Sequence, residues 1–264
     1  MSRIEETFAR LKTKNKKAFI SFIMSGDPNF QTSLDIVSKL PKVGVDIIEL
    51  GIPFTDPMAD GPAIQRAGQR ALNSGMTLQK VLDMVAEFRK NDSATPIILM
   101  GYFNPILAFG INNFIDKCKS VGVDGLIVVD LPPEEDSELC IPAMKNGLDF
   151  IRLATPTSNK QRLELIVKNT TGFIYYVSLT GITGAEISHE ASVHQQIKEI
   201  KKLTSTPVCI GFGIKTPQTV KEFSEVADGV VVGSAIVEKI EDNESVDEII
   251  SFCGELANAT TLNA

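Results

Sequence analysis

Eight short apolar runs, rich in β-branched and aromatic residues, recur along the chain, and each is followed by apolar residues returning at helical spacing. The runs read AFISFIM, VDIIEL, PIILMGY, GLIVVDL, DFIRLA, FIYYVSL, PVCIGFGI and GVVVGSAIV. None alternates cleanly between apolar and polar residues, as a strand with one wet face would. A chain of this kind folds as a parallel sheet whose strands are buried on both faces, with helices covering the outside. Eight such units in 264 residues match an α/β fold of one kind, a single (β/α)8 TIM barrel. A doubly wound open sheet is the alternative. It is weaker because no GxGxxG follows the first run and no linker divides the chain, so residues 1–264 are expected to form one barrel domain.

An extra N-terminal helix is expected before the first strand. Ser2 and Glu5 have the spacing of a capping box, and Ile4, Phe8 and Leu11 fall on one face, which suits a plug at one end of the barrel. Further helices are expected around Leu34 to Leu40 and over 64–72, 78–88, 114–121, 139–144, 163–167 and 193–203. Thr216 and Pro217 then open another, and closing helices run to Leu256. A formal net charge of −7 argues against a nucleic-acid or anionic-membrane partner. Cys118, Cys140, Cys209 and Cys253 lie far apart and fit core thiols in a reducing compartment. With no apolar leader and no run long enough to span a bilayer, the expected location is cytoplasmic.

The chemistry concentrates in residues 47–60, IIELGIPFTDPMAD. Glu49 stands where the strand pattern asks for a core residue, and the Gly/Pro-rich turn after it carries Asp56 and Asp60. A carboxylate in an apolar strand is either paired or tuned for proton transfer, since an unpaired buried charge is costly. A barrel places reacting groups at the C-terminal ends of its strands, where Glu49, Asp60 and Asp130 fall; for Asp130, beside Leu131 and Pro132, a turn role is the plainer account. The last three strands end in glycine-bearing loops, Gly181 to Gly184, Gly211 to Gly213 and Gly233 to Ala235. Glycines let backbone N–H groups approach an anion, and Ser234 would open a short helix, so a phosphate site is expected there, carried by amides because no lysine or arginine lies inside those segments. His189 and His194 lack a third ligand at metal spacing, so no metal is expected. No strand carries a lysine for Schiff-base chemistry, and Lys215 falls in a turn beyond Gly213. Phe22, Tyr102 and Tyr175, at strand ends, either line a pocket or fill the core.

The string ELGIPFTDPMADGPAIQRA, followed in order by Gly-Ile-Thr-Gly-Ala, Gly-Phe-Gly-Ile and Gly-Ser-Ala-Ile-Val, closely resembles the tryptophan synthase alpha subunit family over nearly the whole chain. The resemblance implies a barrel lyase that cleaves indole-3-glycerol phosphate to indole and glyceraldehyde 3-phosphate. On matching positions it implies that Glu49 is the proton shuttle and Asp60 the carboxylate near the indole nitrogen. It implies that Phe22, Met100, Ile127, Leu153 and Tyr175 wall the pocket, and that Thr183 belongs to a lid. Gly184, Gly213, Gly233 and Ser234 would form the phosphate nest. Leu179 departs from members that have an arginine there.

The resemblance further implies a beta-subunit partner carrying pyridoxal phosphate, in a heterotetramer of two alpha and two beta chains, with no cofactor in this chain. Pro53, Asp56, Asn104 and Pro132 match the contact face. Connections 51–61 and 180–188 are the natural lids. Burial is expected to raise the proton affinity of Glu49, while a more polar loop keeps Asp60 ionised. Competing readings are another phosphosugar epimerase or isomerase, which would want metal-binding histidines or a Lys/His/Glu set, and an idle barrel that only activates a partner, which would tolerate loss of Glu49 or Asp60.

Overall fold

The structure, a computed structural model, describes residues 1–177, 186–211 and 213–261, without the side chains of 186–192. The chain runs through α1 (Arg3–Thr13), β1 (Ala18–Met24), α2 (Phe30–Lys39), β2 (Ile47–Gly51), α3 (Pro62–Asn73), α4 (Leu78–Arg89) and β3 (Ile97–Gly101). It continues through α5 (Phe103–Phe109), α6 (Ile111–Val121), β4 (Gly125–Val128), α7 (Cys140–Lys145), β5 (Asp149–Ala154), α8 (Lys160–Lys168) and β6 (Ile174–Val177). It ends with α9 (Glu186–Leu203), β7 (Val208–Gly211), α10 (Pro217–Ser224), β8 (Gly229–Val232), α11 (Ser234–Glu241) and α12 (Val246–Asn258). All neighbouring strands pair in parallel, and β8 closes onto β1, giving a closed barrel in chain order.

Strand alternation sorts the core into two clusters. Phe19, Ile48, Leu99, Leu126, Phe150, Ile210 and Val230 point outward and pack under the helices. Ile20, Ile47, Ile98, Ile127, Ile151, Phe173, Cys209 and Val231 fill the interior. With apolar partners on both faces, the strands have no wet side to mark in the sequence.

The predicted N-terminal helix plugs the lower mouth. Ser2 and Glu5 form the capping box, and Ile4 and Leu11 belong to the interior cluster, each contributing about 1.5–3 kcal/mol by burial. Phe8 meets Phe173 edge-on at 6.1 Å between centroids. Arg3 fastens the helix to Asp124 at 2.7 Å, and Asp124 in turn accepts the Ile97 N–H that starts β3. One element escaped the sequence reading. The segment after β3 forms α5, with Pro105 in its first turn, where a missing N–H costs nothing because it has no intrahelical partner.

Candidate active site

Glu49 shares the inward parity of Ile47 on β2, in register with Phe22 on β1 and Ile98 on β3. The side chain is fully buried, and among the described residues neither carboxylate oxygen has a hydrogen-bond partner. Its pKa is pushed up to about 8, chiefly by burial and secondarily by the charge of Asp60. Glu49 therefore keeps its proton at neutral pH, at the wall of a cavity.

Asp60 ends the connection from β2, immediately before Gly61 and Pro62 open α3. Its N–H donates to the Pro57 carbonyl at 3.1 Å, and the Tyr102 hydroxyl accepts the Ala59 N–H at 2.9 Å. The same hydroxyl donates to the Asp60 carboxylate. Tyr102, just past the end of β3, thus ties the loop to the barrel rim. The Asp60 pKa rises to about 6 because burial outweighs the Tyr102 hydrogen bond that lowers it. The loop is less polar than the sequence suggested, yet Asp60 remains ionised at neutral pH while Glu49 is protonated. Two carboxylates held apart in this way can serve as acid and as fixed negative charge.

Both open into a cavity of about 260 Å³ at the upper end of the barrel. Phe22, Met100, Leu153 and Tyr175 line it with Glu49 and Asp60, as do Gly213, Gly233 and Ser234 on the far side. Burial and the nearby Glu49 push the Tyr175 phenol well above its ordinary pKa. That ring lies over Gly211, where an added Cβ would come within 2.6 Å of ring carbon Cε2. Ile127 does not reach the cavity; it lies fully buried in the interior cluster. Thr183 and Gly184, with Leu179 and Gly181, lie outside the described residues. Asp130 takes the turn role, its Oδ1 accepting the Phe103 N–H at the head of α5 at 2.8 Å.

Gly233 caps α11 and Ser234 is its first residue, so the Ser234 and Ala235 N–H groups have no carbonyl partner within the helix, while the Ile236 and Val237 N–H groups donate to the Gly233 carbonyl at 2.9 and 3.0 Å. Gly213 has φ +75°, a conformation that side chains rarely adopt. Arg66 and Arg70 of α3 reach Glu241 of α11 at 2.7 and 3.2 Å, fixing the helix after Asp60 to the helix of the glycine end. Ile64, Val129 and Lys215 also line the cavity and were missed in the sequence. Ile64 follows Asp60 by one helical turn, which was the available signal; Lys215 carried none beyond its nearness to Gly213.

Of the residues matched to a contact face, Asp56, Asn104 and Pro132 are exposed, whereas Pro53 is buried. Met58 and Leu107, on the same two segments as Asp56 and Asn104, are 84% and 52% exposed. Among the described residues no group of three His, Cys, Asp or Glu side chains could hold a metal, and no helix is long and apolar enough to cross a membrane. A larger depression of about 410 Å³ lies outside the barrel between α8 and α9, and among the described residues it contains no buried carboxylate.

The family described as tryptophan synthase alpha chain matches residues 8–261. Among solved structures, tryptophan synthase subunit alpha from Legionella pneumophila is 38% identical, with 98% of each chain covered and a TM-score of 0.91. A chain from Aquifex aeolicus is 37% identical over 99% of this chain and 100% of its own, with a TM-score of 0.92. Tryptophan synthase from Mycobacterium tuberculosis is 31% identical over 99% of each chain, with a TM-score of 0.91.

Proposed function

Because the chain belongs to the tryptophan synthase alpha chain family, its activity is cleavage of indole-3-glycerol phosphate to indole and glyceraldehyde 3-phosphate, and we propose that Glu49 and Asp60 carry it out. The observation that carries this reading is the pair itself, one carboxylate protonated and one ionised on a single apolar cavity. Breaking the bond between ring and side chain needs a proton on ring carbon C3, negative charge facing the ring nitrogen as it becomes positive, and removal of the side-chain hydroxyl proton as the aldehyde forms. Protonated Glu49 donates to C3, and its carboxylate then takes the hydroxyl proton when the carbon–carbon bond breaks, returning the residue to its starting form. Ionised Asp60 offsets the charge at the ring nitrogen. Phe22, Met100, Leu153 and Tyr175 hold the ring, and Thr183 is assigned to the lid.

The phosphate is assigned to Gly184, Gly213, Gly233 and Ser234, on backbone N–H groups and the positive end of α11. Valine at Gly213 or Gly233 is expected to raise KM for the phosphorylated substrate by at least ~10-fold with a smaller effect on kcat. The reason at Gly213 is its positive φ; at Gly233 it is a Cβ only 3.1 Å from that of Phe22. Equal thermal protection of wild type and variant by glycerol phosphate would place the phosphate elsewhere.

The chain acts as one catalytic domain, in the cytoplasm, without a cofactor of its own. Its partner is a beta subunit, which holds the pyridoxal phosphate, in an assembly of two alpha and two beta chains. Support comes from exposed Met58 and Leu107 standing with Asp56, Asn104 and Pro132 on the face beside the Asp60 loop. A subunit seated there selects the loop geometry in which Asp60 faces the ring. Saturating beta subunit is expected to raise indole release by ~10-fold or more, and Asp56→Ala to require more partner for the same effect. Indole release that stays flat across the titration would leave a free-standing lyase.

A further inference from the structure

We propose that Lys215 is an exchangeable cation for the phosphate end of the substrate, held on Glu238 in the empty site and transferred to the phosphoryl oxygens on binding. This rests on the reading of Gly213, Gly233 and Ser234 as the phosphate nest and extends it. Lys215 lies two residues past Gly213, between β7 and α10, in the wall of the cavity that Gly233 and Ser234 close. Its ammonium donates to both carboxylate oxygens of Glu238, at 2.8 and 3.1 Å. Glu238 is four residues after Ser234, one turn along α11 from the N–H groups of the nest. The three glycine-bearing segments contain no cation of their own, and Lys215 is the one lysine or arginine lining the described cavity.

The present pairing is easily surrendered. The two side chains are 52% and 39% exposed, so their attraction is screened and weak. A phosphate monoester carries about −1.5 to −2 charge near neutral pH, and in the cavity it would share a wall with the apolar side chains of Phe22 and Ile214. Of two anions competing for one ammonium, the more highly charged and less screened is favoured. A lysine can make the change by rotating its four-carbon stem, with no movement of backbone.

The test uses calorimetric titration of the full chain with glycerol 3-phosphate, together with steady-state cleavage of the substrate. Lys215→Gln is expected to weaken glycerol phosphate by about 5- to 10-fold and to raise KM in proportion, with kcat/KM falling through KM. The loss should shrink in about 0.5 M salt. Glu238→Gln is expected to act in the opposite direction, tightening glycerol phosphate by about 2- to 5-fold, because the ammonium then has one acceptor to choose. A lysine that merely braced the loop against α11 would give both variants the same sign, since both break the same pair, and that result overturns the proposal. In the double variant binding should be as weak as in Lys215→Gln alone; if Glu238→Gln still tightens it, the carboxylate acts by simple repulsion and exchange is ruled out. Wild-type chain with no saturable affinity for glycerol phosphate would remove the nest and the lysine together. Wild-type affinity that neither variant alters would remove the lysine alone.

Discussion

Replacing Glu49 by glutamine is expected to abolish nearly all indole release while making the folded chain more stable above neutral pH. The amide keeps the shape of the side chain but cannot give a proton to C3 or take one from the hydroxyl, and a positioned acid–base group contributes about 10²- to 10⁴-fold. The stability gain follows from linkage. In the folded chain the Glu49 pKa is raised from 4.5 to about 8. Below 4.5 both folded and unfolded chains carry the proton, and burial costs no charge. Between 4.5 and 8 the unfolded chain ionises while the folded one does not, so stability falls as pH rises, and above 8 the loss is complete. Its upper bound is about 5 kcal/mol. Urea unfolding of both proteins across this range reads the effect, because titrating groups that do not sense Glu49 cancel in the difference. Parallel stability curves would show that Glu49 is not desolvated, and indole release near the wild-type rate that it is not the shuttle.

Asp60→Asn is expected to lower kcat by about 100-fold, the ~3 kcal/mol that a preorganised charge typically supplies in a dry site. A second signature separates this from loop damage. The charge of Asp60 is one of the two causes that raise Glu49, so its removal should move the alkaline limb of the kcat/KM profile to lower pH, though burial keeps Glu49 above its ordinary value. An acid limb is a poorer witness, since the substrate phosphate titrates near 6 as well. Lost activity with an unmoved alkaline limb would mean that the two carboxylates do not sense each other. Unchanged activity would leave Asp60 a loop residue.

The barrel was legible because its strands are buried on both faces, so each appears as an unbroken apolar run that only a covered parallel sheet can use. Glu49 was legible for the same reason, being a carboxylate set between Ile48 and Leu50 inside such a run. Residues whose role depends on what they fold against were not. Tyr102 is a tyrosine after a glycine until the Ala59 N–H and the Asp60 carboxylate are brought to its hydroxyl. Lys215 looked like a turn residue because the carboxylate that holds it comes from another helix. The segment that forms α5 was hidden by Pro105, which forbids a helix interior but suits its first turn. Ile127 matched a pocket position by family likeness, yet its place in the pleat sends it one layer lower.

The order of the strands carries a consequence for which molecules this barrel can accept. β1 lies between β2 and β8, so Glu49 and the glycine end of β8 are two strand spacings apart, roughly 10 Å across the mouth. Phe22 occupies that gap, close against Gly51 on one side and Gly233 on the other. A closed ladder cannot widen without breaking hydrogen bonds, and the ion pairs from Arg66 and Arg70 to Glu241 hold the helices behind the two ends at one separation. The interval between Glu49 and the anion seat proposed at the glycine end is therefore built into the frame as a fixed gauge of length. A ligand with its ring and its phosphate one carbon nearer or farther apart can satisfy either end, but not both at once, and the barrel sorts such homologues by reach, whatever their affinity at either end.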